Sequence, residues 1–144
     1  MGDGELKALL PCKPDRATRR QNLAGYDLDL TLLGCEANGG LYALAVTQLP
    51  NESLVPQAQA HWRAKLLENM HASSSNSRSQ TVKGATSQMT PAWLSAVGTN
   101  PDGGAIQVQG LWFARGARLY HAAIYAERIS DDMSEPFFSG VGLQ

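Results

Sequence analysis

This sequence carries little charge. Only 17% of its residues are charged, and 12 Lys and Arg against 13 Asp and Glu leave a formal net charge of -1. A chain so close to neutrality has no long-range field that would collect nucleic acid or an anionic membrane, so neither is expected as a partner. No stretch approaches the roughly 20 apolar residues that a spanning helix needs. The opening residues carry neither a basic n-region nor an apolar h-region. Met1-Gly2 therefore reads either as a cytosolic start or as a start that follows a removed export signal.

Ligands for metal are equally sparse. Cys12 and Cys35 are too few and too far apart for a knuckle or a Cys-x-x-Cys pair. A zinc site needs at least three converging ligands, and the three histidines are His61, His71 and His121. His61 and His71 fall ten apart on one expected helix, roughly 15 Å along its axis, so one ion takes only one of them. No metal or cofactor is expected. Gly-x-Ser-x-Gly is missing, Ser95 and Ser139 are ordinary serines, and Gly103-Gly104 does not precede a helix as a phosphate loop would.

What is present describes one α+β domain over residues 1–144. At 144 residues and 43% hydrophobic composition, folding removes about two-thirds of the chain's surface from water, enough for one core. Leu6 to Leu10, stopped by Pro11 and Pro14, reads as an edge strand. Tyr26 to Cys35 alternates leucines with Asp27, Asp29 and Thr31, the period of a strand wetted on one face. Asn38-Gly39 supplies the positive φ angles of a tight hairpin, so Leu41 to Gln48 should return antiparallel. Ser53 is placed to cap a helix on which Ala58, Trp62, Leu66 and Met70 recur at four-residue spacing beside Val55 and Leu67. Gln57, Gln59, Arg63, Lys65 and Glu68 then point outward. The Ser/Asn tract at about 72–80 reads as a flexible surface loop inside the domain.

The second half reads as strands at 81–85, 92–98, 105–114 and 118–126, with a turn over Asn100 to Gly104. Near-continuous apolarity from Arg118 to Ala126 suggests a central strand covered on both faces. Ser130-Asp131-Asp132 opens a second, short helix carrying Met133, Phe137 and Phe138, limited by Pro136, before an apolar tail from Val141 to Gln144.

Few residues offer chemistry. Cys12 and Cys35 each lie beside a turn signal, and three states remain open for them: a disulfide, two buried thiols or one reactive thiol. A disulfide would imply an exported protein. Arg16, Arg19 and Arg20, near Lys13, form a basic cluster that could dock an acidic partner, although a solvated strand face is commoner. His121, on the expected central strand, reads as a hydrogen-bonded structural residue before it reads as part of a site. Asp27 and Asp29 share a strand face, where solvated carboxylates far outnumber catalytic pairs. Trp62, Trp93 and Trp112 read as core. No convergent catalytic set is visible, so no catalytic residue is assigned.

The segments Pro11-Cys12-Lys13-Pro14, Arg115-Gly116-Ala117-Arg118-Leu119-Tyr120 and Phe137-Phe138-Ser139-Gly140-Val141 complete a pattern that spans nearly the whole chain. In that order of elements the sequence resembles small exported bacterial proteins of uncharacterised function, similar in fold to the PsbP/Mog1 superfamily. The resemblance implies an antiparallel sheet covered by one long amphipathic helix and a short C-terminal helix, an α/β/α sandwich. It also implies a periplasmic protein or lipoprotein and carries over no catalytic residue. The function expected is a non-catalytic domain binding a protein or small ligand. The alternatives are a hydrolase or thiol enzyme built from His121 with Asp27 or Cys35, and a cytosolic Mog1-like adaptor with both cysteines reduced.

Overall fold

The computed structural model describes residues 6–8, 10–23, 25–80, 82–85 and 91–143. In chain order the elements are β1 (Leu6–Lys7), β2 (Asp15–Leu23), β3 (Tyr26–Ala37), β4 (Gly40–Gln48), α1 (Val55–Asn69), β5 (Ser74–Ser79), β6 (Ala92–Thr99), β7 (Ala105–Arg115), β8 (Arg118–Ala126), α2 (Asp131–Ser139) and β9 (Gly142–Leu143). Seven strands form one antiparallel sheet in the order β2-β3-β4-β8-β7-β6-β5. The fold class is α+β, as the strand periods and the two helical patterns require.

The hairpin from β3 to β4 turns at Asn38 and Gly39, both at positive φ, 56° and 78°, which is the backbone that an Asn-Gly pair adopts at least cost. β8 sits at the centre of the sheet, and its residues from Leu119 to Ile124 are buried throughout. Alternation sends Leu119, His121 and Ala123 to one face and Tyr120, Ala122 and Ile124 to the other. Leu119 and Ala123 belong to the apolar clusters under α1, built on Val55, Ala58, Trp112 and Met70, and His121 packs against Trp112 on the same face. The second set belongs to the cluster under α2, with Tyr42, Phe113, Met133, Phe137 and Phe138. β1 and β9 pair with each other outside the main sheet, Leu6 opposite Leu143.

Several sequence expectations change at the ends of elements. Asn51, not Ser53, makes the cap: its Oδ1 accepts the Ser53 backbone N–H at 3.0 Å and starts a 3-10 turn, Glu52–Leu54, that runs into α1. Pro56 then occupies the first helical turn, where its missing N–H costs nothing. The helix stops at Asn69, so His71 lies beyond it in the left-handed region at φ 47°. Gln57, Lys65 and Glu68 are exposed as expected, whereas Gln59 and Arg63 are half-buried.

The Ser/Asn tract pairs as β5, with Ser74 opposite Val97 and Ser79 opposite Ala92. All six residues are exposed, so no side-chain periodicity marks them. The open edge of β6 supplies the backbone partners, and backbone groups pair regardless of what the side chains do. Residues 82–85 turn instead of forming the expected strand, and Thr81 and the Met89-Thr90 break lie outside the described residues. Of the expected first strand, β1 keeps Leu6–Lys7, Ala8 and Leu10 pack on the α2-side core, and Leu9 is outside the described residues.

Candidate functional site

The cysteines resolve into one of the three states left open by the sequence. Cys12 and Cys35 form a disulfide with Cα atoms 5.9 Å apart, fastening the segment after β1 to the C-terminal part of β3. Closing a loop of 23 residues stabilises the fold by about 3 kcal/mol in the chain-entropy account.

The basic cluster does not assemble on one face. All of β2 up to Asn22 is exposed, and its register puts Arg16 and Arg20 on the α2 side of the sheet with Arg19 on the α1 side. Arg20 is paired with Asp29 at 3.0 Å, both side chains open to solvent. Such a pair contributes about 0–1 kcal/mol. Asp27 accepts a hydrogen bond from Asn22 Nδ2 at 3.2 Å. These aspartates and Cys35 face the α2 side, whereas His121 faces α1, so the alternative site of His121 with Asp27 or Cys35 is not assembled.

His121 is instead the middle of an aromatic cluster. Its imidazole lies flat on the Trp112 indole, centroids 4.3 Å apart and planes 13° from parallel, while the Trp62 ring meets it edge-on at 5.1 Å. Gly110 makes the space, since a Cβ there would stand 2.8 Å from His121 Nε2. The expectation of a hydrogen-bonded histidine is corrected at that atom: Nε2 finds no partner among the described residues. Burial, with no compensating charge, lowers the imidazole pKa to about 3, so the ring is neutral near neutral pH.

Two openings flank the β5–β6 end of the sheet, one on each face. On the α1 side a cleft of about 350 Å³ is lined by Gln59, Arg63, Ser77, Leu94 and Trp112 among others. Trp112, at 0% exposure, and Leu94, at 1%, are fully buried members of this lining. The Trp112 indole Nε1 and the Nε of Arg63 are both buried and find no acceptor among the described residues. Each such donor costs on the order of 1–3 kcal/mol unless a ligand or ordered water accepts from it. The Arg63 guanidinium reaches across to β5, where Nη2 donates to Ser77 Oγ at 3.4 Å.

On the α2 side a wider groove of about 700 Å³ runs between α2 and β5–β7. Trp93 and Phe138 meet edge-to-face at 4.7 Å in its wall, and the Arg78 guanidinium lies 4.8 Å from the Trp93 ring centre. Arg78 also donates to Gln80 Oε1 at 3.4 Å. Asp131 and Glu135, one helical turn apart, and the buried Oε1 of Gln109 make this side rich in acceptors. Arg78 and Trp93 line both openings.

Sequence reasoning missed these residues because the signal is not local. Arg63 and Gln59 sit at helical positions that periodicity assigns to solvent, and Ser77 and Arg78 belong to a tract without pattern. Among the described residues no three His, Cys, Asp or Glu side chains group as a metal site would. The chain matches no protein-family model, and no curated protein or solved structure matches it either.

Proposed function

We propose that this chain is a non-catalytic, exported domain that binds a small ligand at the β5–β6 end of its sheet. One observation carries the reading: buried hydrogen-bonding atoms without partners among the described residues, Arg63 Nε, Trp112 Nε1 and Gln109 Oε1, belong to side chains that line open clefts there. A folded protein leaves few such groups unmet, and those it leaves are where a ligand repays desolvation. The Cys12–Cys35 disulfide supports an oxidising compartment such as the periplasm, and with it the exported reading over the cytosolic adaptor. The arrangement of α1 and α2 against opposite faces of an antiparallel sheet supports a three-layer α/β/α sandwich of the PsbP/Mog1 kind.

The test is a screen of small polar compounds against the isotope-labelled protein, read by backbone and side-chain N–H shifts. Binding should move resonances of Arg63, Arg78, Trp93 and Trp112 together. If no compound moves them, or if compounds are turned over in a way that His121→Ala abolishes, the reading fails.

A further inference from the structure

Resting on that reading of a binding domain, the ligand's chemistry can be taken one step further. We propose that the cleft between α1 and the β5–β6 edge takes a small organic carboxylate, held by the Arg63 guanidinium and the Trp112 indole N–H. Arg63 brings a guanidinium to the cleft, and no carboxylate lines it among the described residues. Two donors, the Arg63 Nε–H and the Trp112 Nε1–H, are buried without an acceptor among the described residues. Such a lining attracts an anion and repels a cation.

The shape of the donors selects among anions. Nε and Nη2 of an arginine point along the same edge of the planar group, and that edge matches the two oxygens of a carboxylate. Among the described residues the Nε member of the Arg63 pair is unmet, and the Nη2 member holds only Ser77 Oγ at 3.4 Å, beyond the usual length of an N–H···O bond. A carboxylate can displace that contact and accept from both. Pro91, Leu94 and Trp112 supply apolar lining for a carbon skeleton, and about 350 Å³ suits a compound of benzoate size. The groove on the opposite face sets Asp131, Glu135 and Gln109 Oε1 against one guanidinium, Arg78, so the net charge of its lining is the reverse.

The experiment titrates the labelled protein at constant ionic strength with acetate, benzoate and phenylacetate, each beside its neutral amide, and with benzylammonium and inorganic phosphate. The expected result is a saturable shift of the Trp112 indole N–H with benzoate or phenylacetate and none with the amides. Arg63→Gln should weaken that binding tenfold or more. Because Arg63 is half-buried on α1, this variant leaves Trp112 and the core beneath it in place. Equal binding of the amides overturns the charge argument, and equal binding of phosphate overturns the organic part. Benzylammonium shifting Asp131 and Glu135 while every carboxylate is silent overturns the proposal and leaves the binding domain standing. Silence from these probes and from the wider compound screen overturns both.

Discussion

The imidazole of His121 and the indole of Trp112, directly opposite each other on β8 and β7, stack at 4.3 Å in a pocket that exists because residue 110 has no side chain. The pair puts the most deeply buried titratable ring of the α1 face next to the buried donor of the cleft. Its consequences are measurable.

The first is a pH dependence of stability. Burial lowers the His121 pKa from 6.5 to about 3, so between those values the unfolded chain binds a proton that the folded chain refuses. The contribution of neutral His121 is fully present above pH 6.5 and is lost as the pH falls toward 3. The slope approaches about 1.4 kcal/mol per pH unit inside that window. Urea unfolding at pH 7, 5.5 and 4.5 of wild type beside His121→Phe should show the wild type losing more stability on acidification. Parallel curves would remove the claim.

The helix cap gives a second contrast. Asn51→Ala removes the acceptor for the Ser53 N–H and should cost about 1 kcal/mol. Ser53→Ala leaves that acceptor in place and should cost less. Chemical denaturation of the two variants orders them, and a larger loss at Ser53 would restore the cap that periodicity alone suggests.

The disulfide supplies a third. Unreduced, denatured protein should titrate with no free thiol, and reduction should lower stability by about 3 kcal/mol. The whole loss falls on the link between the chain after β1 and the body of β3. Two free thiols in the unreduced protein would refute the pairing and withdraw the argument for an oxidising compartment.

Legibility from sequence followed the length scale of each interaction. The β3–β4 hairpin could be read because alternation and an Asn-Gly turn lie within a few residues of each other. β8 could be read as central because a strand buried on both faces has no polar side to show. β5 was illegible: its six exposed residues, Ser74–Ser79, join the sheet by backbone pairing, and backbone pairing leaves no mark on side-chain composition. The cysteine pairing lay between these cases, since two cysteines beside turns allow a bond without requiring one.

By itself, then, the sequence determined the α+β class, the β3–β4 hairpin, the central strand β8 and the presence of two helices, because hydrophobic alternation and turn and cap signals are written along the chain. Only the tertiary structure decided that Arg63 from α1, Ser77 from β5 and Trp112 from β7 share one cleft, that Arg16 and Arg20 face away from Arg19, and that His121 stands apart from Asp27 and Cys35. Those relations depend on strand order and on which face each register presents, and both are set by pairings between residues far apart in the chain.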